Sequence, residues 1–313
     1  MKRVLVLRLG AMGDIIHALP AVSSIRQSFP GASVCWLVEQ RWRPLIDGNP
    51  FVDQVLELER GSIGGIFRSI RKLRQLKFDL AIDFQGLLKS ALAGVFGHPE
   101  KFYGYHASQV RERMAAFCYS HPIKVSSTHI VDRHLELAAA AGATTRSRTF
   151  PIPVGSPEGE LPRGPFVLAS PFAGWISKQW PLEHYGDLAG RLAAIGLPLV
   201  WNVSPAQSRE IQVPPGVQLH VSGLPGLIDA TRRARAVVGV DSGPLHLAAA
   251  LDKPGVALFG PTDPARNGPY GTSLRVLRSP GAATTYKRAE VIDDSMRNLS
   301  PGQVFEAIAE QVR

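Results

Sequence analysis

The chain has 313 residues, 45% of them hydrophobic, and a formal net charge of +9 at pH 7. Its length is about twice that of a typical domain, so two hydrophobic cores are expected rather than one. No apolar run approaches the roughly 20 residues that a membrane-spanning helix needs. The two cysteines, Cys35 and Cys118, lack the spacing of a disulfide framework or a zinc site, which excludes a cysteine-stapled fold.

The positive charge is concentrated in the first half of the chain. Residues 1–150 hold 20 Lys and Arg against 12 Asp and Glu, whereas residues 151–313 hold 15 against 14. This asymmetry indicates that the first half meets an anionic partner, either nucleic acid, a phosphorylated substrate or an acidic membrane surface. The aromatic residues are not interleaved with the basic ones in a way that would stack bases, which argues against nucleic acid.

The first half alternates short apolar runs with amphipathic stretches. Strands are predicted at residues 4–9, 33–38, 54–58 and 80–83, and helices at about 14–29, 64–76, 87–96, 108–119 and 130–141. Strands that are apolar on both faces and separated by helices are typical of a parallel, doubly wound α/β sheet. We therefore expect a Rossmann-like N-terminal domain over residues 1–155.

Residues 150–165 contain five prolines and no periodic pattern, which indicates an inter-domain linker. The alternation then restarts over residues 165–300. Strands are predicted at 166–169, 197–201, 218–221, 236–240 and 255–259, and helices at 182–194, 227–234, 245–251 and 301–312. A second Rossmann-like domain follows from this pattern. The closing helix, within residues 301–313, is expected to pack back on the first domain.

A turn with two glycines, Gly10 and Gly13, leads from the first strand into the first helix and ends at Asp14. Ligands of open α/β sheets bind at such strand ends. The glycine pattern is too sparse for a dinucleotide fingerprint, and a carboxylate at this place would repel a phosphate. Asp14 is therefore either a catalytic carboxylate or simply a favourable charge in the first turn of the helix.

The segment from Asp241 to His246 joins a buried strand to a helix in the second half. Ser242 can cap the helix, and Gly243 allows a close approach to the backbone. The free N–H groups and the dipole of a helix N-terminus bind phosphate, and His246 lies in the same turn. We interpret this segment as a phosphate site.

Two further groups of basic residues are candidates for contact with an anion. Lys178 lies in a long loop after the first strand of the second half, where it either binds a phosphate or is a solvated loop lysine. The second group lies in the first half of the chain and consists of Arg60, Arg68, Arg71, Lys72, Arg74, Lys77, Lys89, Arg111 and Arg113. Arg68, Arg71, Lys72 and Lys77 fit a solvated helix face, and this interpretation is favoured for most of the group.

Five motifs in order along the chain resemble the lipopolysaccharide heptosyltransferases of glycosyltransferase family 9, and especially the heptosyltransferase I branch. They are Met12-Gly-Asp14 with His17 and Pro20, Asp83-Phe-Gln-Gly-Leu-Leu-Lys-Ser90, Ala173-Gly-Trp175 with Ser177-Lys178 and Trp180-Pro181, Val240-Asp-Ser-Gly243 with His246, and Gly260-Pro-Thr-Asp-Pro264. The resemblance implies a GT-B fold, with two Rossmann-like parallel-sheet domains and the active site in the cleft between them. It also implies inverting transfer from ADP-heptose to a Kdo-lipid A type acceptor, without a metal or another cofactor.

Residue roles follow from the resemblance position by position. Asp14 matches the family's general base, which takes the proton from the acceptor hydroxyl. The donor-binding positions correspond to Gly174, Lys178, Gln207, Leu224, Asp241, Ser242, Gly243 and His246. The acceptor-binding basic positions correspond to Arg60, Lys89 and Arg111. Ala173, Gly174 and Gln207 stand where the first-heptose enzymes carry other side chains, so the nucleotide and the sugar remain open.

The resemblance implies an anionic lipid-linked saccharide as the acceptor. It also implies a cytoplasmic protein with peripheral contact to the inner membrane, and no nucleic-acid partner. Three alternatives remain: a family 9 transferase for another nucleotide sugar, a nucleotide-sugar epimerase of the same fold, and a basic protein that binds phospholipid or nucleic acid. A dehydrogenase is the weakest interpretation, because the glycine fingerprint is poor.

Overall fold

A computed structural model describes residues 2–59, 61–285 and 287–312. The chain divides into two compact units, Met1–Pro153 and Val154–Arg313. The division falls inside the proline-rich segment that the sequence indicates as a linker. Within the described residues no helix is long and apolar enough to cross a membrane.

The first unit is built on one six-stranded sheet whose strands all pair in parallel. Its strands are β1 Arg3–Leu7, β2 Ser33–Glu39, β3 Gln54–Leu58, β4 Leu80–Asp83, β5 Lys101–Tyr105 and β6 His121–Ile123. Four helices connect them: α1 Met12–Ser28, α2 Ile63–Leu76, α3 Leu88–Phe96 and α4 Ile130–Ala140. The strand order is β3-β2-β1-β4-β5-β6.

The second unit repeats this architecture with the strand order β12-β11-β10-β7-β8-β9, again wholly parallel. Its strands are β7 Val167–Ser170, β8 Leu199–Val203, β9 Val217–Val221, β10 Ala236–Val240, β11 Gly255–Phe259 and β12 Leu274–Arg278. Its helices are α5 Leu182–Ala193, α6 Leu224–Arg233, α7 Gly243–Ala250, α8 Pro264–Asn267, α9 Asp294–Arg297 and α10 Pro301–Val312. The predicted pair of doubly wound parallel sheets is confirmed.

Each sheet reverses its winding between its first and fourth strands, which are neighbours in space. Numbered within its own unit, each sheet has the order 3-2-1-4-5-6, which is the Rossmann order. The reversal lies between β1 and β4 in the first unit and between β7 and β10 in the second. The connections leave toward opposite faces there, so a crevice opens at the carboxyl ends of these strands.

The C-terminal helix α10 belongs to the second unit. It packs on α5, β10 and β11, and its apolar residues Val304, Ala307 and Ile308 lie in the core of that unit. The sequence-based expectation placed this helix against the first domain, whereas these contacts place it in the core of the second unit. Its apolar face is used to cover the second sheet.

The helix predicted at residues 108–119 is not formed. The segment turns, and a 3₁₀ turn spans Arg113–Cys118. The backbone N–H of Glu112 donates to the carbonyl of Gly86 at 3.2 Å, so a bond to a neighbouring loop interrupts the helical pattern. Strands β5, β6 and β12 were not predicted; β6 has only three residues, and β12 alternates leucine and valine with arginine at an edge of its sheet.

Replacing Gly255 with alanine should destabilise the second unit by about 3 kcal/mol or more. This glycine has a φ of +150°, and a Cβ atom there would lie 1.9 Å from the carbonyl oxygen of Val237 on β10. The midpoint of urea unfolding measures the effect.

Gly190→Ala is the matched control, because a Cβ in that α5 position meets nothing within 4 Å. This substitution should stabilise the protein by up to about 1 kcal/mol through helix propensity. Equal midpoints for the two variants would contradict the clash.

Candidate active site

Asp14 lies in the first turn of α1, directly after the carboxyl end of β1. Its Oδ2 atom is 2.7 Å from a guanidinium nitrogen of Arg8 and accepts a 3.2 Å hydrogen bond from the backbone N–H of Ala11. The Asp14 side chain is 41% exposed, whereas that of Arg8 is 8% exposed. A buried cation thus fixes a carboxylate that is open to solvent.

Arg8 was not identified from the sequence as a site residue. It follows β1, and its Nη1 donates to the carbonyl of Phe84 at 2.5 Å, directly beyond the end of β4. The parallel pairing of Leu7 with Asp83 brings these two chain segments side by side. An arginine between two buried leucines, at positions 7 and 9, is the signal that could have marked it, because a buried charge needs a partner.

Asp83 is wholly buried at the end of β4 and braces the loop beside Asp14. One carboxylate oxygen accepts from Ser90 and Tyr119, each at 2.8 Å, and the other accepts from the backbone N–H groups of Gln85 and Gly86. Burial raises the pKa of Asp83, and these hydrogen bonds act in the opposite direction. Within this loop, the side-chain oxygen of Gln85 accepts a 2.7 Å hydrogen bond from the backbone N–H of Leu9. The contacts of Asp83 therefore indicate a structural role.

Two of the predicted acceptor residues lie next to this loop. Lys89 is in the first turn of α3, with its ammonium 3.3 Å from a carboxylate oxygen of Glu39 at the end of β2. Arg111 is exposed, and its backbone nitrogen would lie 3.6 Å from a Cβ on Gly86. The third predicted residue, Arg60, lies outside the described residues.

In the second unit, Lys178, Asp241 and His246 meet at the winding reversal. Lys178 Nζ lies 2.6 Å from one Asp241 oxygen and His246 Nε2 lies 3.5 Å from the other. The Asp241 and His246 side chains are buried, and that of Lys178 is 16% exposed. Burial alone would raise the pKa of Asp241, but the hydrogen bond from His246 and the charge of Lys178 outweigh it and hold the pKa well below its usual range.

The helix α7 begins directly after this cluster, with Ser242 at its N-cap. No side chain caps its first turn, and Gly243 and Pro244 open the helix. Among the described residues, Ser242 Oγ is buried without a hydrogen-bond partner. A helix start with uncapped N–H groups beside a lysine and a histidine has the composition of an anion site.

Among the described residues, no recorded hydrogen bond joins the remaining donor candidates to the cluster of Lys178, Asp241 and His246. Gln207 folds back on Ser204, and its side-chain oxygen accepts from both the N–H and the hydroxyl of that serine at 2.9 Å. Leu224 opens α6 after Gly223, whose N–H donates to Glu158 at 2.6 Å. Gly174 is exposed, and a Cβ there would meet nothing within 4 Å.

The sequence contained a signal for the arrangement of Gln207. The pattern Ser-Pro-x-Gln occurs twice, at Ser204 to Gln207 and at Ser300 to Gln303, and both copies form the same reciprocal cap. Such a pairing satisfies backbone donors at a helical start. One function of Gln207 is therefore local, and its amide nitrogen is the group that it could offer to a ligand.

Trp175 is an aromatic residue of this site with cations on its ring. Lys178 Nζ lies 4.4 Å from the ring centroid and the Arg288 guanidinium lies 5.7 Å from it. Both distances are within the range of cation–π attraction. No sequence pattern indicated Arg288, because it lies 113 positions from Trp175 and belongs to no motif.

In the part of the chain that the structure describes, no group of three or more His, Cys, Asp or Glu residues is arranged to hold a metal ion. At each winding reversal, polar side chains are paired with one another. The first unit has the Arg8 and Asp14 pair, and the second has the cluster of Lys178, Asp241 and His246.

Two Rossmann-like units with polar clusters at their winding reversals match the GT-B architecture of solved glycosyltransferases. The structure of E. coli heptosyltransferase WaaC with ADP is similar to this chain with a TM-score of 0.79 and 26% identity, covering 99% of both chains. The structure of the same E. coli enzyme with ADP-2-deoxy-2-fluoro heptose has a TM-score of 0.77 and 26% identity, covering 98% of this chain and 99% of the other.

The sequence comparisons agree with this class. Residues 66–292 match the model of glycosyltransferase family 9 (heptosyltransferase). Lipopolysaccharide heptosyltransferase 1 of Pseudomonas aeruginosa is 31% identical over 297 residues, covering 87% of this chain and 82% of that protein. The chain belongs to glycosyltransferase family 9 and is a glycosyltransferase. The predicted family and its GT-B fold are confirmed, as is the resemblance to the heptosyltransferase I branch.

Replacing Asp241 with asparagine should destabilise the protein by about 3–5 kcal/mol at neutral pH, because Lys178 would lose a buried partner. The pKa of Asp241 is lower in the folded than in the unfolded chain, so its contribution is complete above the unfolded value of about 3.9 and is lost as pH falls below it. The difference in unfolding free energy between wild type and variant should therefore shrink below about pH 4.

Urea unfolding at a series of pH values measures this difference. Asp47→Asn is the control, because Asp47 forms an exposed ion pair with Arg43; it should cost less than about 1 kcal/mol. A pH-independent loss in Asp241→Asn would contradict the ionised buried pair.

Proposed function

We propose that this glycosyltransferase moves a heptose from ADP-heptose to an anionic saccharide of the lipopolysaccharide core, of the Kdo-lipid A type, with inversion and without a metal ion. One observation carries the proposal: Asp14, exposed and held by Arg8, and the anion site of Lys178, His246 and α7 occupy equivalent strand ends of the two units. The relatives named as heptosyltransferases, and the ADP in the structure of one of them, support the choice of donor.

Asp14 acts as the general base in this proposal. Its carboxylate takes the proton of the acceptor hydroxyl while that oxygen forms a bond to the anomeric carbon of the heptose. The bond from the anomeric carbon to the diphosphate oxygen breaks on the opposite face, and ADP leaves with the bonding electron pair. Arg8 positions the carboxylate through their 2.7 Å ion pair. Base catalysis of this kind contributes about 10²–10⁴ in rate.

The diphosphate is held by positive charge at the start of α7. Lys178 has three N–H donors and uses one toward Asp241, so two remain for phosphate oxygens. His246 and the backbone N–H groups at Ser242 and Gly243 supply further donors. These groups meet the charge that develops on the leaving group, so stabilisation is largest as the bond breaks. The backbone at Gly174 extends this site.

Asp241 is a positioning residue in this site, because it contacts the side chains of both Lys178 and His246 and fixes them beside the helix start. Gln207 and Leu224, at the ends of β8 and β9, are proposed to line the nucleoside end of the donor. On the acceptor side, Lys89, Arg111 and Arg60 are proposed to bind anionic groups of the saccharide. This assignment accounts for the net charge of the first half of the chain. The proposal places the protein at the cytoplasmic face of the inner membrane, as a peripheral protein without nucleic-acid binding.

ADP should raise the unfolding temperature, whereas UDP, GDP and dTDP should not. A ligand at about a hundred times its Kd stabilises the folded state by about 2.7 kcal/mol. Differential scanning fluorimetry measures the shift. Lys178→Gln should lose most of it, and Arg209→Gln, an exposed arginine of the same unit, should keep it. A response to UDP or dTDP without one to ADP would overturn the donor, and a response to none would overturn the donor site.

Asp14→Asn should lower kcat by about 10²–10⁴, because the amide cannot accept the proton. The shift in unfolding temperature caused by ADP should be unchanged, since Asp14 belongs to the first unit. The assay follows transfer from ADP-heptose to Kdo-lipid A. Asp47→Asn removes an exposed aspartate of the same unit and should retain full activity. Wild-type turnover in Asp14→Asn would disprove the assignment of the base.

A further inference from the structure

The exposed large hydrophobic side chains of the first unit are gathered on three consecutive elements. Among its described residues, every one of them lies on α2, on α3 or on the 3₁₀ turn Arg113–Cys118. They are Ile66, Phe67, Leu88, Leu92, Val95, Met114 and Phe117. These three elements are called here the basic apolar surface.

The elements of the basic apolar surface are neighbours in space. The helix α3 packs against both α2 and the 3₁₀ turn. The exposed residues Leu88, Leu92 and Val95 are spaced i, i+4 and i+7 along α3, so they form one stripe on that helix. The apolar side chains therefore belong to one region and are not scattered single residues.

The outward face of α2 mixes apolar and cationic side chains. Its inner face buries Gly65, Ser69 and Leu73 at intervals of four. The opposite face carries Phe67, Ile70, Arg71 and Arg74, which line an open depression of about 360 Å³. Phe67 is 65% exposed. This is the composition of a helix that lies in a membrane interface.

The depression on the outward face of α2 is lined by both apolar and cationic side chains. Its lining consists of one aromatic ring, one aliphatic side chain, two guanidinium groups and the amide of Gln75. An apolar floor with cations at its rim suits a ligand that is apolar in its interior and anionic at its surface.

The cations of this surface are largely without acidic partners. Within the described residues, Arg71, Lys72 and Arg74 form no ion pair, whereas Arg68 pairs with Glu59 at 2.7 Å. Arg113, at the start of the 3₁₀ turn, is exposed. Unpaired cations beside exposed apolar side chains attract an anionic surface.

The second unit offers no comparable region among its described residues. Its exposed large hydrophobic side chains are all aliphatic and are spread over the linker, loops, a 3₁₀ turn and strand β12. They are Val154, Ile176, Ile195, Val213, Val276 and Val291. The two exposed phenylalanines of the described chain, Phe67 at 65% and Phe117 at 82%, both belong to the basic apolar surface.

We propose that the basic apolar surface docks on an anionic lipid bilayer, with Phe67 and Phe117 entering the interface and Arg71, Lys72 and Arg74 binding lipid phosphates. A second copy of the chain fits less well, because a twofold contact would bring the unpaired cations of both copies together. Nucleic acid fits less well, because five of the seven exposed apolar side chains of this surface are not aromatic and cannot stack on bases.

This inference deepens the proposed function, because a lipid-linked acceptor lies in a membrane. The proposed acceptor residues border the surface. Lys89 follows Leu88 at the start of α3, and Arg111 lies two residues before the 3₁₀ turn. Docking through this surface would bring the lipid-linked saccharide to the acceptor side of the first unit.

Flotation with lipid vesicles tests the proposal on the full chain. Wild type should bind vesicles of phosphatidylcholine with phosphatidylglycerol and not vesicles of phosphatidylcholine alone, and high salt should weaken the binding. Phe67→Ser/Phe117→Ser should lower the partition coefficient about tenfold or more, because two buried rings are lost from the interface. Arg71→Gln/Lys72→Gln/Arg74→Gln should lower it about a hundredfold at low salt, since each charge contributes about fivefold.

Matched variants of the second unit control for lost apolar area and lost charge. Ile195→Ser/Val291→Ser and Arg163→Gln/Arg191→Gln/Arg209→Gln alter exposed residues there and should bind as wild type does. Failure of wild type to bind the anionic vesicles overturns the proposal, as does an equal loss in test and control variants. So does a dimer in analytical ultracentrifugation that Phe67→Ser/Phe117→Ser disperses. The assay involves neither ADP nor transfer, so its failure is distinguishable from failure of the proposed function.

Discussion

The winding reversal of a parallel sheet is the constraint on which the rest of this structure depends. Parallel strands all end at the same edge, and the chain leaves that edge toward opposite faces where the order reverses. Asp14 follows β1 and Asp83 ends β4, so the two segments meet there. Lys178 and Asp241 follow β7 and β10 in the same way. Each unit thereby gathers residues that are more than 60 positions apart.

Each unit buries a charged side chain and pairs it, but the buried charge is positive in the first unit and negative in the second. In the first, a buried cation, Arg8, holds an anion that is open to solvent. In the second, a buried anion, Asp241, holds a lysine and a histidine beside a helix start. A buried charge is stable only when it is paired and hydrogen-bonded. The pairing fixes the geometry of the partner, which suits one unit to accept a proton and the other to bind an anion.

The local patterns of the sequence predicted most strands and helices, because strands buried on both faces are continuous apolar runs. The failures have particular causes. The segment 108–119 bonds to the loop at Gly86, so its helical pattern is overridden by tertiary contacts. The edge strand β12 carries exposed arginine and has no apolar run. The amphipathic pattern of α10 predicts a helix but does not indicate which sheet the helix covers, and the structure places it on the second sheet.

The sequence by itself determined the family, the doubly wound architecture and the candidates Asp14, Lys178 and His246, because these follow from motifs and from periods within one element. Only the tertiary structure showed that Arg8 pairs with Asp14, that Asp241 holds Lys178 and His246, and that Arg288 lies over Trp175. It also gathered the exposed apolar residues of α2, α3 and the 3₁₀ turn. The physical reason is that pairing depends on strand order, and strand order places together residues that no local pattern relates.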